Sequence, residues 1–208
     1  IPVSGYVFAV YVPMFATMFA FFLVGFMAES ILGERISGSF RRILAAPVHR
    51  GAVIAGKMLA FIGVVFLQML LLLGVGNALF DLPVGNSPLA LVALTLALAL
   101  ASTGMGMAVG SVARTRKQAG NIGMVLGFVL FLASGVSGTG GYLSNPAFQT
   151  GGLTYYLALL TPNAHAFDGY IKLMLHSGDI VDILPNMLAL AGFGVVFFLI
   201  GVWRFKYE

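Results

Sequence analysis

The sequence predicts an all-α, polytopic membrane protein, with five spanning helices and short re-entrant or external helices before the last of them. Three observations carry this prediction. Of the 208 residues, 60% are hydrophobic and only 9% are charged, whereas soluble domains carry about a quarter charged residues. The mean hydropathy is +1.01. Long apolar runs without charge recur along the chain, and runs of about 18 residues or more read as membrane spans. Such an inventory cannot build a water-facing surface, so residues 1–208 read as one transmembrane domain.

The spans follow in order as Val7–Ala28, Met58–Leu79, Leu89–Ala113, Gln118–Ser137 and Ile183–Trp203. Each has about 20 residues or more, enough to cross a ~30 Å hydrocarbon core at ~1.5 Å per residue. Pro13 and Pro185 stand near helix starts, where a missing N–H costs least. Between spans two and three, "DLPVGNSP" (Asp81–Pro88) has the Pro, Gly and Asn of a short turn. Residues 138–182 form a longer, oily segment. Within it "GLTYYLALL" is too short to span and suits a re-entrant or interfacial helix. The stretch "TPNAHAFDGYIKLMLHS" predicts a second short helix, started near Pro162 or Asn163.

The basic residues set the orientation. Arg35, Arg41, Arg42, Arg50 and Lys57 lie between spans one and two, and Arg114, Arg116 and Lys117 between spans three and four. Arg204 and Lys206 follow span five, and only Lys172 falls on the opposite side. By the positive-inside rule these segments are cytoplasmic, with the N-terminus of the sequence outside and the C-terminus inside a plasma (inner) membrane. The chain opens with "IPVSGYVF", without the basic start of a signal peptide. An outside start therefore carries the expectation of a further span upstream.

Composition also excludes functions. None of the five spans has an acidic or basic residue in its interior, which argues against a proton-coupled carrier or a voltage-gated pore. Cysteine is absent, so disulfides and thiolate metal sites are not available. His49, His165 and His176 lack the spacing of metal ligands, and the expectation is that the chain binds no metal. Gly106–Gly110 and Gly123–Gly127 are GxxxG pairs that allow close helix approach; packing within one bundle explains them before a dimer seam does. Gln68, Asn77, Asn121 and Asn186 are the candidate intramembrane polar contacts. The phenylalanines of span one suit lipid-facing and packing positions.

Two motifs invite catalytic readings. "GAVIAGKM" (Gly51–Met58) falls one residue short of a phosphate-binding loop. Met58 replaces the hydroxyl that would hold magnesium, and no strand delivers the turn to its helix, so the chain is expected to bind no nucleotide. "GVSG" (Gly135–Gly138) with His165 in "AHAFDG" approximates a rhomboid-like serine–histidine dyad. That pair needs hydrogen-bond reach in a wet pocket, and its histidine spacing is one residue too wide. An intramembrane serine protease using Ser137 and His165 stays as an alternative, as does a structural membrane protein without transport activity.

The most informative stretch is the predicted cytoplasmic loop, residues 29–57. On a helix Ile36, Phe40, Ile43 and Leu44 share one face, Arg41 and Arg42 project away, Ser37 or Ser39 can cap the start, and Pro47 stops it. This predicts a short amphipathic helix at the inner face, gripping anionic lipid or docking a partner.

The sequence "ERISGSFRRILAAPVHRGAVIAGKMLA" resembles the loop signature of ABC-2-type exporter permeases, the membrane subunits of bacterial and archaeal drug, lipid and polysaccharide exporters. "GMGMAVGSVARTRKQAGNIG" and "LTPNAHAFDGYIKLML" resemble two further family segments in the same order, so the chain can be laid along the family's second to sixth spans. The resemblance implies a subunit that is not catalytic by itself. Its implied partners are an ABC ATP-binding subunit on the cytoplasmic face, which would hold ATP and Mg, and a second permease subunit, identical or different. Membrane lipid surrounds it, and no nucleic acid is involved. Glu34–Pro47 would be the coupling helix, with Glu34, Arg35, Gly38, Arg41, Arg42, Leu44 and Pro47 carrying the coupling. The external short helices would close the outer gate. The direction would be export, and the chargeless spans lean toward hydrophobic or amphiphilic cargo.

Overall fold

The computed structural model describes residues 3–38, 50–135, 143, 145–150 and 152–204. These form α1 (Val3–Ile36), α2 (Arg50–Phe80), α3 (Pro88–Val112), α4 (Arg116–Ala133), α5 (Pro146–Gln149), α6 (Leu153–Leu159), α7 (Pro162–Leu175) and α8 (Leu184–Arg204). No strand occurs among the described residues. Among the described residues, four helices are long and apolar enough to cross a membrane: α1 over Val7–Ile36, α2 over Ala55–Phe80, α3, and α8. The fourth expected span corresponds to α4, whose 18 residues begin with Arg116 and Lys117; it is not among these four.

For α2, α3 and α8 the candidate spans agree with the expected ones to within three residues, but α1 is longer. α1 runs eight residues beyond Ala28, through Glu29, Glu34 and Arg35, to Ile36. At ~1.5 Å per residue, 34 residues exceed what the hydrocarbon core needs. Backbone bonding carries a helix onward until something stops it, and here the stop is Gly38 with φ +71°, a left-handed residue of the kind that ends helices. Ser37 therefore closes α1 instead of opening the next helix, its hydroxyl donating to the Glu34 carbonyl at 3.2 Å. Ile36, expected on the amphipathic helix, is the last residue of α1. Ser39, Phe40, Ile43 and the rest of that helix lie outside the described residues.

α3 is the hub. Within its most apolar window 61% of residues are buried, against 22% for α2 and 22% for α8, so those two carry the bundle's outer, apolar faces. Two seams hold the hub and its neighbours. α1 and α4 run antiparallel where Gly25 meets Gly120 and Gly123; a Cβ on Gly25 would stand 2.7 Å from the Gly120 carbonyl oxygen. α3 and α8 run parallel with Gly104 against the Gly194 backbone, and a Cβ on Gly194 would stand 3.0 Å from the Leu100 carbonyl oxygen. Glycine lets backbones touch where lipid tails offer no hydrophobic gain for association. Gly106 and Gly110 face Met27 and Ala28 of α1, and Gly127 faces Phe21. Both GxxxG pairs thus serve packing inside the bundle.

The short helices divide by burial. α6 keeps Leu153, Tyr156, Leu157 and Leu160 beside it exposed, as suits an interfacial element. α7 starts at Pro162, as expected, and is buried along most of its length. Phe167 and Ile171 join Met14 and Phe131 in one apolar cluster. Tyr170 meets Thr95, their hydroxyl oxygens 2.9 Å apart. Thr95 lies seven residues into α3, so α7 dips about 10 Å into the bundle.

Candidate functional site

The charged residues described in this apolar bundle gather at its two ends. At the first, α1, α3 and α8 finish while α2 and α4 begin. Glu34 in the last turns of α1 receives Lys57 of α2, Nζ to Oε1 2.6 Å. Arg116, the first residue of α4, donates from Nη2 to the Gly33 carbonyl at 2.8 Å. A side chain on Gly33 would collide with that guanidinium, whose Cζ stands 2.8 Å from where the Cβ would be. The turn entering α4 is closed on itself: Thr115 accepts from the Gln118 N–H at 3.2 Å, and Gln118 Oε1 accepts from the Arg114 N–H at 2.9 Å. This is a variant of the capping box, with the Gln return bond falling on the residue before the N-cap rather than on the N-cap itself. Glu34, Arg35 and Gly38 therefore sit on a joint that ties three helices together. Arg41, Arg42, Leu44 and Pro47 lie outside the described residues.

The opposite end holds a buried polar cluster between α7 and α8. Asp168, 1% exposed at its side chain, pairs with Lys172 at 2.9 Å. Lys172 also donates to Asn186 Oδ1 at 3.0 Å. Asn186 Nδ2 in turn donates to Asp168 Oδ2 at 3.0 Å and to the His165 carbonyl at 2.9 Å. His165 Nε2 lies 3.0 Å from the Leu159 carbonyl oxygen. Burial holds its imidazole below the ordinary 6.5; the Leu159 carbonyl and the Asp168 carboxylate oppose that shift, and Lys172 adds to it. The spans lack interior charge, but the bundle does not, because α7 brings its own. Asp168 and Lys172 escaped the sequence reading; the signal for them was an opposite pair at i, i+4 inside an otherwise apolar short helix.

The four intramembrane candidates separate. Asn186 joins α8 to α7 as above, and Gln68 ties α2 to α1 by donating to the Ala16 carbonyl at 3.3 Å. Asn77 instead closes the end of its own helix, donating to the Leu82 carbonyl at 2.7 Å. Asn121 lies on the exposed face of α4, beside a shallow pocket with Glu29 and Lys117. Ser137 is outside the described residues. An apolar cleft of about 210 Å³ opens between α2 and α3, lined by Phe66, Leu70, Gly74, Leu91, Val92 and Thr95.

The arrangement combines long apolar helices, a jointed basic end and an opposite end filled by α7 with its buried ion pair. A family model for ABC-2 family transporter proteins matches residues 2–203. The chain belongs to the ABC-2 transporter family. As a member of that family it is a multi-pass membrane protein and a membrane component of a transporter. No curated protein matches this ABC-2 family chain.

Proposed function

We propose that this chain is the transmembrane subunit of an ATP-driven ABC exporter that moves a hydrophobic or amphiphilic substrate outward. ATP and Mg are held and used by a partner ATP-binding subunit on the cytoplasmic face. One observation carries the reading within its family: the joint at Gly33–Gly38, where Arg116 and Lys57 fasten α4 and α2 to the end of α1. The segment that follows, through Arg41, Arg42, Leu44 and Pro47, is the coupling helix. A push delivered there reaches three helices at once, because their ends are cross-linked by charge.

α4 is the fifth crossing. Its 18 residues span about 27 Å, and its glycine seam with α1 runs from Gly120 to Gly127. A helix fused to a spanning helix over that length shares its depth. The basic end faces the cytoplasm of the plasma (inner) membrane, where Arg35, Lys57, Arg114, Arg116, Lys117 and Arg204 satisfy the positive-inside rule. α7 closes the outer end, and the exposed apolar faces of α2 and α8 meet lipid and a second permease subunit, identical or different.

The test is Arg41→Glu with Arg42→Glu, expressed together with the ATP-binding subunit. The variant inserts into the membrane, but transport and transport-linked ATP hydrolysis are lost. Unchanged transport with unchanged ATPase binding would remove the coupling role.

A further inference from the structure

Near the basic end, several polar groups are committed to one another. Glu34 holds Lys57, Arg116 holds the Gly33 carbonyl, and Gln118 holds the Arg114 N–H. On the outward side of the α1–α4 seam the pattern changes. A pocket of about 180 Å³ is lined there by Glu29, Lys117 and Asn121 together with Phe22, Phe26 and Met124. Among the described residues none of these three polar side chains has a hydrogen bond or an ion pair, although a carboxylate and an ammonium line the same space.

The glycine seam makes the pocket. Gly25 lies against the Gly120 carbonyl, so the two backbones touch and the larger side chains beside them wall a groove. The Glu29 carboxylate lies over Gly120, where a Cβ would stand 3.2 Å from its Oε2. The antiparallel register sets Gly33 level with Arg116 and Glu29 level with Gly120, and it orders the lining by depth. Lys117 stands three residues, about 4.5 Å, nearer the end than Gly120. Phe22 stands seven residues, about 10 Å, on the other side of Glu29. The apolar run of α1 stops at Ala28, so Glu29 sits where hydrocarbon gives way to headgroups, and Phe22 sits among acyl chains. Phe26 and Met124 are 61% and 52% exposed, which leaves the groove open on its lipid side.

Charge complementarity selects the occupant. An anionic headgroup meets Lys117 but is repelled by Glu29, and a purely cationic one meets the reverse. A headgroup that carries both a phosphate and an ammonium satisfies the two at once. A primary ammonium also donates charge-assisted hydrogen bonds to a carboxylate, which a trimethylated one cannot. We infer that the α1–α4 groove binds one phospholipid with a primary ammonium headgroup, its phosphate on Lys117 and its ammonium on Glu29. The Asn121 amide offers a donor and an acceptor beside them, and an acyl chain follows Phe26 and Phe22 into the bilayer. This lipid is a fixed companion of the fold, and the inference does not depend on the transport reading.

The purified full chain in neutral maltoside micelles is titrated with dioctanoyl phosphatidylethanolamine, phosphatidylcholine and phosphatidylglycerol, and bound lipids are counted by native mass spectrometry. The ethanolamine lipid is expected to saturate at one molecule per chain. The choline lipid lacks the N–H donors and the glycerol lipid lacks the cation, so each binds about fivefold or more weakly. Glu29→Gln weakens the ethanolamine lipid about tenfold and removes its advantage over the choline lipid. Lys117→Gln weakens both of these lipids alike, since both carry the phosphate. Arg114→Gln, at the same end but outside the pocket, leaves them within about twofold, as expected for a screened surface charge. Glu29 and Lys117 are both exposed, and if one variant fails to fold the other decides. Equal binding of all three lipids, tightest binding of the glycerol lipid, or an ethanolamine preference that survives Glu29→Gln would overturn the inference. So would a two-copy species that Glu29→Gln dissolves, because a second copy of the chain would then fill the groove.

Discussion

Asp168 and Lys172 form an ion pair whose partners are unequally buried, and the inequality predicts which loss costs more. The Asp168 side chain is 1% exposed and that of Lys172 is 23% exposed. Lys172→Met leaves a buried carboxylate without the cation beside it, and such losses cost about 3–5 kcal/mol. Asp168→Asn leaves an ammonium that can extend along its stem toward the surface, so it costs less. Thermal unfolding of the purified chain in detergent should rank Lys172→Met below Asp168→Asn, and the opposite order would mean that Lys172, not Asp168, is the trapped charge. The double change Asp168→Leu with Lys172→Met should recover part of the loss, since no unpaired charge remains.

His165 gives the same cluster a pH dependence. Its folded value lies below 6.5 because of burial, so the fold prefers the neutral ring. Above 6.5 both folded and unfolded states are neutral there and the full stability is present. As the pH falls below 6.5, the unfolded state takes up a proton that the folded state resists, and stability declines until the folded value is passed. The unfolding midpoint should drop between pH 7.5 and 5.5, and His165→Gln should flatten that slope. An unchanged slope in the variant would place the titration elsewhere.

At the scale of elements, glycine decides where helices can meet, and it does so unevenly. Gly123 faces the Gly25 backbone of α1, whereas nothing stands within 4 Å of a Cβ placed on Gly63. Gly123→Ala therefore forces α1 and α4 apart, at the ~1–3 kcal/mol typical of overpacking. Gly63→Ala meets open space and gains up to about 1 kcal/mol of helix propensity. Comparing the two alanines by unfolding midpoint separates contact from propensity, and matching effects would sink the seam. The GxxxG spacing was readable in the sequence; which helix it faced was not. Spacing places two glycines on one face, but the partner is set by how α1 sits between α3 and α4. α7 shows the same limit, because a short apolar helix has one composition whether it lies on a membrane or inside a bundle. What distinguished it was Asp168 with Lys172, a pair that needs Asn186 and burial together. α1 shows the converse: its apolar run ends near Ala28, and Gly38, a single residue, sets the end of the helix.

For the whole molecule, the proposed arrangement across the membrane rests on charge at one end and α7 at the other, and it can be mapped directly. The chain has no cysteine, so single cysteines report their own side without background. Ser37→Cys and Val112→Cys mark the basic end; Asn86→Cys and Val181→Cys mark the opposite end, where Asn86 and Val181 are exposed. A membrane-impermeant maleimide applied to intact cells should label the second pair and reach the first only after lysis. The decisive position is Leu160, 70% exposed, between α4 and α7. The chain must cross somewhere between the end of α3 and Val181, and the described helices there, α4 to α7, have 18, 4, 7 and 14 residues. Only the first approaches the ~20 residues a crossing needs. Leu160→Cys should therefore label from outside together with Val181→Cys. Protection of Leu160→Cys until lysis would mean that α4 stays on the basic side and that α7, with its buried Asp168, makes the passage instead.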